Sequence, residues 1–104
     1  MRQTEIIHEL RDAIRRTAPN AKIILYGSQA RGDARPDSDI DLLIILDEEE
    51  LTKERERVIL NPLYDVELMR GVLVNPRVVT KSSWENRPFM TPFYVNVMNE
   101  GIEL

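Results

Sequence analysis

The 104-residue sequence has no cysteine. Disulfides and thiolate metal sites are therefore excluded, and an apolar core must hold so small a chain together. Histidine occurs once, as His8, on the charged face of a helical stretch where it reads as a surface residue. Glycine is scarce, at 4 residues, and proline ordinary, at 6, while 42% of the chain is hydrophobic and 31% charged, which argues for a folded globule over a disordered or collagen-like chain. No apolar run approaches the ~20 residues of a membrane span. The opening MRQTEIIHELRDAIRR alternates charge with apolar residues and lacks the apolar core of a secretory signal, so the expected setting is cytoplasmic. Basic residues are outnumbered, 14 against 18, for a net charge of -4. Bulk electrostatic binding to nucleic acid is thereby excluded, and any recognition of phosphate must be local. The length suits one domain over residues 1–104.

From Thr4 to Ala18, Ile6, Ile7, Leu10, Ala13 and Ile14 recur at helical spacing. Arg11, Arg15 and Arg16 fall near the end, where cations suit the dipole and solvent takes their charge. Pro19 and Asn20 stop this helix. Residues 21–26 read as a short buried strand ended by Gly27, and the polar segment 28–38 has room for a short helix starting at Ser28. Ile40–Leu46 is the most apolar stretch and the central strand. Asp47–Glu50 then read as a solvated loop and helix start. Residues 52–70 predict a charged helix or helix pair, broken near Asn61 and Pro62 and stopped by Gly71. Residues 72–80 predict a third strand, at an edge or locally broken, because Pro76 lacks a ladder donor. Thr91 and Pro92 open a last helix with Phe93, Tyr94, Val97 and Met98 on one side, ended by Gly101. Trp84, Phe89, Phe93 and Tyr94 read as core or partner packing rather than a base-stacking platform.

The chemistry lies in Gly27-Ser28-Gln29-Ala30-Arg31-Gly32 and in Ser38-Asp39-Ile40-Asp41. Only twelve residues, 27 to 38, join the first two strands, which is short for a parallel crossover and makes them antiparallel neighbours. The glycine–serine turn and both aspartates then meet at one end of the sheet. Asp39 and Asp41 are two apart on a strand, so they share a face with Cα atoms roughly 6–7 Å apart, within reach of one divalent ion. Oxygen ligands alone suit Mg²⁺ or Mn²⁺. Gly27 permits close backbone approach, Ser28 offers an N–H and a hydroxyl, and Arg31 a forked cation for phosphate oxygens. These parts fit a metal–triphosphate site. Neither a P-loop nor a dinucleotide-binding fingerprint occurs. A phosphatase-type acid pair would follow its strand, whereas here the strand follows the acids.

This pattern, Gly27-Ser28 followed by Asp39-x-Asp41, resembles the signature of the nucleotidyltransferase superfamily that includes DNA polymerase beta. The longer Gly-Ser-x-Ala-Arg-Gly with Ser-Asp-x-Asp-Leu is similar to its minimal nucleotidyltransferase (MNT) branch. The resemblance implies an α/β fold of α+β type, with a small mixed sheet and helices mainly on one face. It implies that Gly27 and Ser28 hold the triphosphate, that Asp39 and Asp41 hold Mg²⁺, and that Arg31 assists at phosphate. The implied activity is transfer of a nucleoside monophosphate from an NTP to an acceptor hydroxyl. Similar domains are paired with helical HEPN proteins in toxin–antitoxin systems, some of which modify the toxin with AMP.

One departure separates the chain from that pattern. Active members carry a third carboxylate on the strand after the intervening helix, and residues 72–80 offer Leu73, Asn75 and Arg77 instead. Asp65 and Glu67 fall on the preceding helix and are poor substitutes. Two readings follow, a transferase and a nucleotide- or partner-binding module of weak or no activity. Apolar residues on both faces of Leu42–Leu46 call for extra cover, for which a second copy of the chain is one source.

Overall fold

A computed structural model describes residues 2–86 and 89–104. The periodicity of the first segment becomes α1 (Arg2–Thr17), with Ile6, Leu10 and Ile14 essentially inaccessible. β1 (Lys22–Tyr26) leads into a single-turn α2 (Ser28–Arg31), and β2 (Ile40–Leu46) follows. After it come α3 (Lys53–Arg70) and β3 (Val74–Thr80). The chain closes with α4 (Lys81–Glu85), α5 (Pro92–Glu100) and a two-residue β4 (Ile102–Glu103). The strands form one mixed sheet in the order β3-β2-β1-β4. β1 runs antiparallel to β2, as the short connection requires, while β2 and β3 are parallel and joined through α3.

Three threonines start three helices in the same way. Thr52, Thr80 and Thr91 each accept a hydrogen bond from the backbone N–H three residues on, at 3.0, 3.2 and 3.2 Å. Each satisfies a donor the helix cannot use, at a gain of typically about 1 kcal/mol.

Alternation along β2 divides the core. Ile40, Leu42, Ile44 and Leu46 join Ile23 and Leu25 under the long helices α1 and α3. Leu43 and Ile45 face the other way and form a second cluster with Ile24, Trp84 and Val97. The two long helices thus share one face, as expected, but α4 and α5 cover part of the other. This corrects the source of the extra cover: it comes from the same chain, and it leaves Leu43 and Ile45 at 0% and 6% exposure. α4 lacks the length for a periodic signal, and β4 exists only through its pairing of Ile24 with Glu103 and Leu25 with Ile102. Trp84, Phe93 and Tyr94 do pack together, with Trp84 4.9 Å from Tyr94 and 6.0 Å from Phe93 between ring centres. Phe89 is not part of that packing and lies exposed.

Two further expectations need correction. α3 is not broken at Pro62 but runs through it. Ile59, Leu63 and Val66 are buried on either side of the proline, so packing holds the helix axis. The carbonyl robbed of its donor belongs to Val58, on an exposed part of the helix where water can reach it. β3 begins at Val74 rather than Val72, because Gly71 caps α3 in the left-handed conformation and Val72 still donates to Glu67. The Glu67 carboxylate then accepts from the Val74 N–H at 2.7 Å, starting the strand and staying away from the aspartates. Pro76 sits in an edge strand, where its missing donor is tolerated. Among the described residues no helix is long and apolar enough to cross a membrane.

Candidate functional site

The site forms where β1 ends and β2 begins. Tyr26 pairs with Asp41 across the ladder, so the residue after Tyr26 must turn away at once. Gly27 does so with φ 75° and ψ -156°, a region that side chains other than hydrogen essentially never occupy. Space imposes the same choice. A Cβ at position 27 would stand 2.3 Å from Asp41 Oδ2, so the bare glycine backbone is the floor on which the Asp41 carboxylate rests. The Gly27 carbonyl accepts from the N–H groups of Ala30 and Arg31, closing the turn into α2. Ser28 follows directly, half-buried at the start of that turn.

Asp39, just before β2, and Asp41, its second residue, turn their carboxylates to the same side, as their spacing predicts. Both are half-buried. The parallel register sets Asp41 beside Asn75 of β3. The Asn75 amide Nδ2 donates to Asp39 Oδ2 and to Asp41 Oδ1, each at 3.0 Å. One neutral amide thus bridges two carboxylates that would otherwise only repel each other. The two carboxylates present oxygen alone, without sulfur or imidazole, which is the donor chemistry that fits a small hard divalent cation. No group of three or more His, Cys, Asp or Glu side chains suited to a metal occurs among the described residues.

Arg31 is close to the turn but engaged. Its Nε donates to Asp33 at 3.2 Å, and its Nη1 donates to both oxygens of Glu100 at 3.3 and 3.4 Å. Those bonds, from Asp33 first and Glu100 second, raise its pKa still further, so the guanidinium stays charged. Glu100 Oε1 also accepts from the Gly27 N–H at 3.3 Å. An acid from the end of α5 therefore engages Arg31, one of the donors that the sequence offers to phosphate, together with the neighbouring Gly27 N–H.

Below the aspartates on the same face lie Tyr26, Arg77 and Phe93. The Tyr26 and Phe93 rings meet edge to face at 5.4 Å, and the Arg77 guanidinium stacks 4.5 Å above Phe93. Burial and then the Asp41 charge push the Tyr26 phenol above its usual pKa, with Arg77 pulling the other way.

The fold thus brings Gly27, Asp39 and Asp41 together and keeps Ser28 and Arg31 beside them. Sequence reasoning missed the roles of Asn75 and Glu100. Asn75 was visible as the residue in an acid-free strand, but its place opposite Asp41 depends on the strand register. Glu100 lies 73 residues from Gly27, and nothing local to it signals the contact.

Comparison with known proteins finds likeness in both sequence and fold. Residues 7–102 match the nucleotidyltransferase domain family. Two proteins of Methanocaldococcus jannaschii, both named as candidate protein adenylyltransferases, are similar in sequence. One is 33% identical over 84 residues, covering 80% of this chain and 77% of the relative. The other is 35% identical over 80 residues, covering 77% and 73%. Among solved structures, a toxin–antitoxin crystallised with AMP-PNP has the same fold, with a TM-score of 0.65 over 92% of this chain and 69% of that one, at 16% identity.

Proposed function

The chain belongs to the nucleotidyltransferase domain family, and from that membership we propose that it is an Mg²⁺-dependent transferase moving a nucleoside monophosphate from an NTP to a hydroxyl on a partner protein. The observation that carries this reading is the convergence of Asp39 and Asp41 on Asn75, beside a glycine whose missing side chain leaves room for Asp41. The names of the two archaeal relatives favour ATP as donor and a protein as acceptor. The toxin–antitoxin neighbour favours a toxin as that acceptor, and we read the partner as a helical HEPN-type protein met in the cytoplasm.

In this reading Asp39 and Asp41 would hold the cation through their carboxylate oxygens. Bound Mg²⁺, or Mn²⁺ in its place, supplies the positive charge that offsets the triphosphate and the charge growing on pyrophosphate as it leaves. Gly27 lets the phosphates lie against the backbone, and the Ser28 hydroxyl donates to them. Arg31, once released from Glu100, forks onto phosphate oxygens. The acceptor hydroxyl gives up its proton to solvent and its oxygen bonds to the α-phosphorus, as the bond from that phosphorus to the bridging oxygen breaks and pyrophosphate leaves. Positioning and charge account for the catalysis, without a covalent intermediate on the chain.

The test is transfer of label from α-³²P-ATP to the partner. Wild-type protein should label the partner, and Asp39→Asn should abolish labelling while the circular dichroism spectrum stays unchanged; labelling at the wild-type rate would remove Asp39 from the site. A second reading, a nucleotide- or partner-binding module without turnover, draws on Asn75, an amide facing the two aspartates in place of a third acid. It predicts a stable complex with the partner and no label under the same conditions.

A further inference from the structure

We propose that Asn75 is the third oxygen ligand of the cation held by Asp39 and Asp41, and that it reaches that role by turning its amide over when the ion binds; this rests on the metal site proposed above. Three observations lead here. Asn75 is fixed next to Asp41 by the parallel register of β2 and β3. Its side chain leans onto both carboxylates at once through a single nitrogen. No described His, Cys, Asp or Glu side chain completes a group of three with them.

An asparagine amide carries two donors and an acceptor oxygen in nearly the same volume. The torsion that exchanges them is broad and roughly two-fold, so exchange requires no movement of the strand. Without a cation, the two N–H groups each satisfy one carboxylate and lower the repulsion between them. With a cation between the carboxylates, the same N–H groups would point at positive charge. A half-turn replaces them with Oδ1, and side-chain carbonyl oxygens are ordinary ligands of hard divalent ions. Asn75 is exposed on an edge strand, so nothing packed around it opposes the turn. The resulting ligand set carries two negative charges, which balance a divalent ion without excess.

Mn²⁺ binding, read from the loss of its free-ion electron paramagnetic resonance signal, tests the proposal with wild type, Asn75→Ala, Asn75→Asp and the Asp39→Asn, Asp41→Asn double variant. Loss of one ligand should weaken binding in Asn75→Ala by about tenfold or more. A carboxylate in its place should tighten binding in Asn75→Asp by at least about fivefold, the effect of one added charge at contact distance even when water screens it fully. In ¹⁵N-labelled wild type, Mg²⁺ should shift the Asn75 side-chain NH₂ pair as its two hydrogen bonds break, and the double variant should show no such shift. If Asn75 only spaces the aspartates apart, Asn75→Ala will bind Mn²⁺ as tightly as wild type or more tightly, and the proposal fails while the metal site stands. If folded wild type takes up no Mn²⁺, the metal site and the proposal fail together.

Discussion

Substituting alanine at Gly27 separates two demands that the site places on one residue. The conformation at φ 75° and ψ -156° would cost alanine about 1–3 kcal/mol, as for other residues held in sparsely populated backbone regions. The new methyl would also stand 2.3 Å from Asp41 Oδ2, so the carboxylate must swing aside and give up its bond to Asn75. Gly71 provides the comparison. It too has a positive φ, of 66°, but a Cβ there meets nothing within 4 Å, so Gly71→Ala should carry only the left-handed penalty of about 1–2 kcal/mol. For a domain of this size 1 kcal/mol lowers Tm by about 4–8 °C. Gly71→Ala should therefore melt about 4–15 °C lower with Mg²⁺-ATP binding intact, and Gly27→Ala should melt lower still with that binding lost. Combining Gly27→Ala with Asp41→Ala removes the clash and keeps the backbone penalty. The double variant should then be more stable than the sum of the single losses by about 0.5–3 kcal/mol, the range seen for residues in contact. Differential scanning calorimetry and titration calorimetry on wild type, Gly71→Ala, Gly27→Ala, Asp41→Ala and the double variant measure all of this. A Gly27→Ala protein as stable as Gly71→Ala that still binds Mg²⁺-ATP would refute the claim that the glycine makes room for Asp41.

Glu100 holds Arg31 and the Gly27 N–H in a solvent-screened ion pair at the place offered to phosphate. Glu100→Gln should therefore tighten ATP binding, measured by titration calorimetry; weaker binding would mean that the acid orders the turn rather than competing with phosphate. Absorbance near 295 nm should show a phenol step above the ordinary range that is missing in Tyr26→Phe. The raised pKa of Tyr26 favours its neutral form in the folded state, so its stabilising contribution is complete below the ordinary phenol value of about 10 and fades as pH climbs through the folded pKa. A Tyr26-dependent step at or below the ordinary phenol value would contradict the burial of Tyr26 beside Asp41.

Most elements were legible in the sequence because each rested on a local cause. The periodic Ile6, Leu10 and Ile14 gave α1, the run Ile40–Leu46 gave β2, and Thr91 with Pro92 gave the start of α5. The aspartate pair was legible for the same reason, since alternation along a strand sets Asp39 and Asp41 on one face whatever the rest of the chain does. What stayed hidden depends on contacts between distant segments. Pro62 marks a break by local rules, and only the burial of Ile59, Leu63 and Val66 overrides it. The cover over Leu43 and Ile45 comes from Trp84 and Val97, whose helices are too short or too weakly periodic to announce where they dock. Asn75 reads as a missing acid in the sequence, and only the strand register turns it into a bridge between the two acids that are present.

The central claim is that Asp39 and Asp41 form a working cation site for a nucleoside triphosphate, and calorimetric titration of ATP with and without Mg²⁺ tests it most directly. Wild type and the Asp39→Asn, Asp41→Asn double variant should be compared after both are shown to be folded. The account predicts Mg²⁺-dependent ATP binding to wild type that disappears in the double variant. Equal binding by the two proteins, or none by folded wild type with Mg²⁺ present, would contradict it.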